Sequence, residues 1–353
     1  MYYTFRFFRP IRFPAMTQEA MKTLFHPYET GELTPPVRGE AVLFLGAEPG
    51  FRLPAGFTAD LSLVQGFRPD YRSLLASRYR VQSAPEGEGF ASALIVSGRH
   101  RGQNENRLAD ALERVKAAGL IVVAGGKEDG IASLRRRVAA LVELDGHMPK
   151  YHGIVFWFRR PDNVAEILAA LREGNGETVV DGRFRTAPGM FSHDRIDAGS
   201  RLLAENLPVD LSGKVADFCA GWGYVAAEVL HRAPDVRQLD LYEADFASIE
   251  AAKANLADQP VAKNFFWHDL LGEPVAEHYD AIVMNPPFHK TRAAEPKMGR
   301  GMIRAAAAAL RRGGRLFMVA NKQLPYEASL DAEFGGHKEI ARDSGFKILS
   351  ATR

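Results

Sequence analysis

Short apolar runs separated by longer mixed segments dominate the second half of the chain. Apolar runs of about five residues between segments of helical character are typical of buried strands in an α/β protein. A helix is predicted for residues 224–231, directly after the first run. The predicted strands lie within residues 215–219, 239–242, 265–269 and 281–284. Strands that alternate with helices in this way predict a mostly parallel sheet.

The first half of the chain repeats this order of segments. The segments that can be laid over one another are 39–50 on 213–223 with one gap, 61–65 on 239–243, and 93–98 on 281–286. A repeat of this length indicates duplication of a whole domain. We place the boundary in the glycine-rich segment 172–177, which gives two domains, residues 1–175 and 176–353.

Smaller elements are predicted around these strands. Residues 178–181 and 184–186 are expected to form a hairpin at the start of the second domain. The alanine-rich segment 305–309 predicts a helix that ends at Gly313 and Gly314. A further helix is predicted for residues 339–343, followed by a strand at residues 345–351.

The composition narrows the classes of protein. The chain has 353 residues, one cysteine and a net charge of +2. A single cysteine excludes an intramolecular disulfide and argues against cysteine-based zinc sites. No apolar run reaches the roughly 18 residues expected of a membrane-spanning helix. We therefore expect a cytoplasmic, monomeric protein that binds no metal and no membrane. Since the net charge is small, any surface for nucleic acid must be a local patch.

The segment Asn285-Pro286-Pro287-Phe288 follows the last predicted strand of the second domain. Two prolines lock their φ angles and donate no N–H, so they end the strand and hold the preceding amide in place. A rigid amide beside an aromatic ring suits the binding of a planar base through its exocyclic amine. The alternative is a simple strand-ending turn in which Asn285 satisfies local backbone groups.

Polar residues and glycines mark the ends of the other predicted strands. Gly221 and Gly223 form a turn after the first strand, which contains Asp217, while Glu243 and Asp269 end the second and third. The carboxyl ends of parallel strands meet at one edge of the sheet, where such folds bind nucleotides. A carboxylate after the second strand is suited to ribose hydroxyls. A nucleotide-like ligand is therefore predicted beside Asn285.

Three segments carry a more specific resemblance, namely residues 188–203, 285–289 and 319–326. Together with the glycine-rich turn, they resemble the ribosomal RNA small subunit methyltransferase C family, whose members are class I S-adenosylmethionine (SAM)-dependent methyltransferases. The resemblance is close over residues 185–353 and weak over the first half. It implies two tandem Rossmann-like class I methyltransferase domains. The first would be degenerate, and the second would have a mostly parallel sheet that ends in an antiparallel strand.

The resemblance also implies an activity and a set of site residues. A methyl group would pass from SAM to the N2 amine of a guanine in 16S ribosomal RNA, either free or within the small ribosomal subunit. The side-chain oxygen of Asn285 and the carbonyl of Pro286 would accept the amine N–H groups, and Phe288 would stack on the base. The catalytic candidates are Asn285, Pro286, Pro287 and Phe288. The candidates for SAM binding are Phe191, Ser192, Asp197, Asp217, Cys219, Ala220, Gly221, Gly223, Glu243, Ala244, Asp269, Leu270 and Asn285.

Individual roles are assigned to three of the carboxylates. Glu243 would bind the ribose hydroxyls, Asp269 the adenine amine, and Asp217 the loop N–H groups or the methionine amine. Cations that follow the catalytic segment are candidates for RNA contact, namely His289, Lys290, Arg292, Lys297 and Arg300.

The chain departs from the family pattern at Cys219, where glycine is usual. A β-carbon there is expected to crowd the methionine part of SAM without abolishing binding. The first half departs further, since Gln65 replaces the ribose-binding carboxylate and Ser97-Gly98 replaces Asn-Pro. The first domain is therefore expected to support the second and to contribute RNA surface.

Two other functions fit the sequence. Adenine-N6 methyltransferases of DNA and RNA share the segment Asn-Pro-Pro-aromatic, although tyrosine in place of Phe288 would have favoured them. The other possibility is a non-catalytic RNA-binding or ribosome assembly factor, in which Cys219 has disabled the binding of SAM.

Overall fold

This computed structural model describes residues 16–287, 295–343 and 345–353 of the chain. The contacts divide the chain into two compact units. The first unit comprises the chain up to Gln65 together with Ser73–Arg172, and the second comprises Gly66–Arg72 and Glu173–Arg353. The change of unit after Arg172 falls within the glycine-rich segment that the sequence singles out. The division of roles between the two domains stays a prediction.

The elements of the first unit follow one another in a repeated strand–helix order. In chain order they are α1 (Met16–Glu29), β1 (Ala41–Leu45), β2 (Asp60–Val64), α2 (Arg68–Ala76), β3 (Arg80–Gln82), β4 (Phe90–Val96), α3 (Arg101–Arg114), β5 (Val115–Gly126), α4 (Ile131–Ala139), β6 (Gly146–Lys150), β7 (Gly153–Arg159) and α5 (Ala165–Arg172). The start of α2, up to Arg72, belongs to the second unit. A short 3-10 helix, Lys127–Asp129, separates β5 from α4.

The second unit has the same plan after an additional hairpin. In chain order its elements are β8 (Thr178–Val180), β9 (Phe184–Thr186), α6 (Ala198–Glu205), β10 (Gly213–Phe218), α7 (Tyr224–Arg232), β11 (Val236–Glu243), α8 (Phe246–Asn255), β12 (Ala262–Trp267), β13 (Tyr279–Met284), α9 (Glu295–Ala309), β14 (Leu310–Asn321), α10 (Glu327–Phe334), β15 (Lys338–Arg342) and β16 (Phe346–Thr352). The predicted hairpin is confirmed, since β8 and β9 pair antiparallel.

The two units contain sheets of identical strand order. The first sheet runs β3-β2-β1-β4-β5-β7-β6 and the second β12-β11-β10-β13-β14-β16-β15. In each sheet five neighbouring strands are parallel, and an antiparallel strand, β7 or β16, joins the last of them. The predicted fold class and the duplication are therefore confirmed.

The core of the second unit lies on both faces of its central strands. The last four residues of β13, Ala281 to Met284, are all buried, as are Val215, Ala216 and Phe218 of β10. Continuous burial of this kind is expected where helices cover both faces of a parallel sheet. It explains why these strands are visible in the sequence as unbroken apolar runs. Among the described helices, none combines the length and apolar character needed to cross a bilayer.

Two predictions near the carboxyl end were wrong. Residues 339–343 do not form a helix, because this largely polar segment pairs with β16 as the edge strand β15. The alanine-rich helix α9 does not end at Gly313 and Gly314, since it stops at Ala309 and both glycines lie within β14. A β-carbon on Gly314 would lie 2.9 Å from the carbonyl oxygen of Arg311. Close backbone packing, rather than helix capping, accounts for that glycine.

Candidate active site

The candidate active site lies where three parallel strands of the second unit end side by side. Phe218 at the end of β10 is paired with Tyr242 of β11 on one side and with Met284 of β13 on the other. The next residue along each strand or turn is therefore at the same edge of the sheet. These residues are Cys219, Glu243 and Asn285. The structure thus brings together three of the four strand ends from which the sequence predicts a ligand site.

Asp217 lies beneath this edge, with 1% of its surface exposed. Its carboxylate accepts the backbone N–H of Ala226 in the first turn of α7, while its Oδ2 atom has no hydrogen-bond partner among the described residues. Burial, followed by the nearby charge of Glu243, raises the pKa of Asp217 well above its usual range. A buried oxygen without a partner is costly, so a ligand with a donor group would be stabilised there.

Glu243 holds the glycine-rich turn in place. Its Oε2 accepts the N–H of Gly221 at 2.8 Å and its Oε1 accepts the N–H of Asp245 at 2.9 Å. Each carboxylate oxygen retains a second lone pair that can accept a ribose hydroxyl. Burial raises the pKa of Glu243 to about 7, although these backbone N–H groups act in the opposite direction.

Asp217 and Glu243 form an acidic pair that favours a cationic ligand. The charge of Glu243 raises the pKa of Asp217, and both carboxylates raise the pKa of the Cys219 thiol. No described lysine or arginine is hydrogen-bonded to either carboxylate. SAM carries an ammonium group and a sulfonium, together with ribose hydroxyls for Glu243. The residues present at this edge therefore fit SAM, and Asp217 and Glu243 would hold its polar groups.

The turn that follows β10 requires left-handed backbone. Gly221 and Gly223 have φ angles of +54° and +90°, and a β-carbon on Gly223 would lie 3.3 Å from Cβ of Ala252. Cys219 also has a positive φ, +62°, which residues other than glycine rarely adopt. The departure from the family pattern thus falls at a position where glycine would be unstrained. Burial raises the pKa of the Cys219 thiol, so a nucleophilic role is disfavoured.

Asp269 lies two residues beyond the end of β12 and is more constrained than the sequence indicates. Its Oδ1 accepts the N–H of Leu271 at 3.1 Å, and its Oδ2 accepts Nη1 of Arg72 at 3.0 Å. Leu270 beside it is buried. Arg72 was missed by sequence reasoning, since it belongs to a segment far away along the chain that joins the second unit. The role of Asp269 toward adenine stays a prediction.

The side chain of Asn285 is held from the start of α6. Its Nδ2 donates to Oδ2 of Asp197 at 3.2 Å and to Oγ of Ser200 at 2.6 Å. Pro286 is buried and Pro287 exposed. Ser200 was also missed, because nothing in its spacing connects it with a strand end. Asp197, a predicted SAM-binding residue, caps α6 and contacts the catalytic amide; its contact with SAM stays a prediction.

The remaining predicted SAM-binding residues contribute to the shape of this edge. Phe191 is 51% exposed, and its carbonyl accepts Nε1 of the buried Trp222 at 2.9 Å. Ser192 has a φ of +51° and donates from Oγ to the carbonyl of Arg195. The backbone N–H of Ala220 donates to the carbonyl of Tyr242, and the carbonyl of Ala244 accepts Nε1 of Trp267. Whether these residues touch SAM stays a prediction.

The candidate RNA contacts are described only in part. Lys297 and Arg300 are exposed near the start of α9. Phe288, His289, Lys290 and Arg292 lie outside the described residues. Among the described residues, no group of histidine, cysteine and carboxylate side chains is arranged to hold a metal ion.

The corresponding edge of the first unit is filled by an arginine. Nη1 of Arg107 donates to the carbonyl of Val96 at 2.8 Å, at the end of β4. A β-carbon on Gly46, just after β1, would lie 2.8 Å from the same nitrogen. Gln65, after β2, donates to the carbonyl of Ala47. The positive charge of Arg107 beside these strand ends disfavours binding of a cationic ligand there, in contrast to the acidic edge of the second unit.

Comparisons with known proteins agree with this geometry. A family model described as the methyltransferase small domain matches residues 181–350. The ribosomal RNA small subunit methyltransferase C of Pectobacterium atrosepticum is 32% identical over 254 residues, which are 70% of each chain. The Klebsiella pneumoniae protein of the same name is 38% identical over 174 residues, 49% of this chain and 50% of that one.

A solved structure is similar over nearly the whole chain. It is a Thermus thermophilus 16S rRNA N2 methyltransferase in complex with AdoMet and guanosine, and it is 22% identical with a TM-score of 0.78. The match covers 95% of this chain and 91% of that one. At that identity, the similarity establishes the fold of both units.

The raised pKa of Glu243 predicts that SAM binding depends on pH. Affinity measured by calorimetry should increase from pH 6 to about pH 7.5, as Glu243 ionises. Glu243→Ala should lower SAM affinity by about 1–3 kcal/mol, the scale of a lost charged hydrogen-bond acceptor, and should flatten this dependence. Glu250→Ala, on the exposed side of α8, serves as the control and should behave as the unaltered protein does. Affinity that is independent of pH would contradict the assignment.

The same pKa has a consequence for stability without SAM. Because folded Glu243 binds its proton more tightly than unfolded Glu243, the cofactor-free protein should lose stability as the pH rises from about 4.5 to about 7. Urea unfolding over this range, with Glu243→Ala as comparison, measures the contribution of this residue.

The backbone at Cys219 predicts the effect of two substitutions. Cys219→Gly relieves about 1 kcal/mol of left-handed strain but increases the entropy of the unfolded chain by a similar amount, so stability should change by less than about 1 kcal/mol. Cys219→Val should destabilise by more, since a β-branched residue is least tolerant of a positive φ. Urea unfolding tests both variants. A larger loss for glycine than for valine would show that this backbone conformation is not required.

Proposed function

This chain belongs to the ribosomal RNA small subunit methyltransferase C family, and we propose that its second unit methylates the N2 amine of a guanine in 16S ribosomal RNA. The membership rests on 32% identity over 70% of both chains. The observation that carries the chemistry is the position of Asn285, whose amide lies at the same sheet edge as the acidic pair Asp217 and Glu243. In this proposal, the group that binds the target amine and the edge that binds SAM are adjacent.

The reaction depends mainly on positioning. SAM supplies a methyl group activated by its sulfonium, and the new N–C bond forms as the C–S bond breaks, after which the amine nitrogen loses a proton to solvent. An exocyclic aromatic amine is a poor nucleophile, because its lone pair is delocalised into the ring. Acceptance of its N–H groups by Oδ1 of Asn285 and the carbonyl of Pro286 would direct the lone pair away from the ring plane. Such preorganised acceptors act through orientation and electrostatics.

The target base must leave its stack to reach this edge, so a single-stranded or flipped guanine is the expected substrate. Lys297 and Arg300 are exposed near the start of α9, and they are suited to phosphate contact. His289, Lys290 and Arg292, which lie outside the described residues, stay candidates for RNA contact from the sequence alone. The first unit would support the second and extend the RNA surface. Action on ribosomal RNA also implies a cytoplasmic protein.

Adenine N6 is the second candidate target. The amide of Asn285 distinguishes an amine from a carbonyl, but it does not by itself distinguish guanine N2 from adenine N6. The family membership favours guanine. A non-catalytic factor that does not bind SAM is disfavoured by the acidic pair, since Asp217 and Glu243 lie at the same sheet edge as Asn285 and suit a cationic ligand.

The function is tested by mass mapping of 16S ribosomal RNA from a strain that lacks this gene. We expect one N2-methylguanosine to be lost and to return when the unaltered gene is supplied. Loss of an N6-methyladenosine instead would show that the chain methylates adenine N6. An unchanged pattern of methylation would exclude both enzymatic functions on this RNA.

Asn285→Ala tests the catalytic role directly. Turnover should fall by roughly 10²–10³-fold, the scale seen when one preorganised polar group is removed, while SAM affinity should change little. Labelled methyl transfer to small ribosomal subunits from the deletion strain measures turnover, and calorimetry measures affinity. Asn206→Ala, at the far end of α6, is the matched control. Near-normal turnover of the Asn285 variant would refute the role.

A further inference from the structure

The orientation of the Asn285 amide is determined by its neighbours. Its Nδ2 lies 3.2 Å from Oδ2 of Asp197 and 2.6 Å from Oγ of Ser200. A carboxylate accepts hydrogen bonds and does not donate them, so the group that faces Asp197 must be the NH2. Serine alone would not decide this, because a hydroxyl both donates and accepts.

Asp197 is itself held firmly. It is the N-cap residue of α6, with extended backbone, and its Oδ2 accepts the N–H of Ser200 at 2.8 Å. A carboxylate at this position is also favoured by the helix dipole. Ser200 is only 8% exposed. The first turn of α6 therefore presents two fixed acceptors to the catalytic amide.

Both hydrogens of the Asn285 NH2 are then directed to protein acceptors. No described residue donates to its Oδ1, so the atom available to a ligand is an acceptor. An acceptor binds an exocyclic amine and repels a ring carbonyl. The orientation of one amide therefore distinguishes a base that presents an amine from one that presents an oxygen.

We propose that Asp197 and Ser200 are positioning residues that fix the Asn285 amide with its oxygen toward the target amine. The proposal rests on the proposed function and adds a determinant of its specificity. Asp197 enforces the orientation, and Ser200 accepts the second hydrogen. Neither residue needs to touch the substrate.

Two substitutions separate this role from helix capping. In Asp197→Asn, the side-chain oxygen can occupy the place of Oδ2 and accept from both Ser200 and Asn285, so cap and orientation are kept. In Asp197→Ser, the hydroxyl still caps the helix but no longer enforces which atom of Asn285 faces it. We expect the serine variant to turn over about 10- to 100-fold more slowly than the asparagine variant, the scale of a misplaced catalytic group.

The decisive readout is a double-mutant cycle with Asn285→Ala. If Asp197 acts through Asn285, Asp197→Ser should have little further effect on turnover in the Asn285→Ala background. The unfolding midpoint should stay close to normal in the single variant. SAM affinity is measured alongside turnover, because Asp197 is also a candidate contact of SAM and a loss of affinity must be separated from a loss of turnover. Methyl transfer to small ribosomal subunits from the deletion strain is the assay throughout. If the serine variant does not fold, Ser200→Ala enters the same cycle in its place.

Two results would overturn the proposal. One is normal turnover in Asp197→Ser, and in Ser200→Ala where it is used. The other is an equal fold-loss whether or not Asn285 is present, which would show a purely structural role. Failure of the proposed function is distinct from both, because the unaltered protein would then leave guanine N2 unmethylated.

Discussion

Three parallel strands that end at one edge of a sheet determine most of what this protein can do. Hydrogen bonding of β10 to β11 on one side and to β13 on the other brings Asp217, Glu243 and Asn285 together, although they are distant along the chain. The register of these pairs is maintained by continuous burial of the central strands, since a slip would expose their apolar side chains. The site is therefore a consequence of the core.

The chemistry at this edge is set by charge. Two carboxylates lie close together, one of them with a buried oxygen that has no partner among the described residues. Such an arrangement is unfavourable for the protein alone, and it is relieved by a ligand that brings positive charge and donor groups. The first unit shows the contrasting case, since Arg107 provides the positive charge beside the corresponding strand ends. The duplicated fold thus carries two carboxylates at this edge in one unit and an arginine at the corresponding edge in the other.

How much of the fold and of the candidate site could be predicted from the sequence depends on how far apart the interacting residues lie along the chain. The position of Glu243 and Asn285 at one sheet edge could be predicted, because each lies at the end of an apolar strand and the strands pair side by side. Ser200 and Arg72 could not be found in this way, since their contacts join segments 85 and 197 residues apart. Residues 339–343 were predicted as a helix from their local sequence. Most of this segment lies in strand β15 instead, because pairing with β16 outweighs the local preference of these polar residues.

The measurement that tests the account most directly is calorimetric titration of SAM into the full-length protein at pH 7.5. We expect one equivalent of SAM per chain, because the described acidic pair lies in the second unit, whereas Arg107 lies beside the corresponding strand ends of the first. Two equivalents would show that the first unit retains a site despite Arg107. The absence of binding would show that the acidic pair does not hold SAM, and the proposed methyl transfer would then lack its donor.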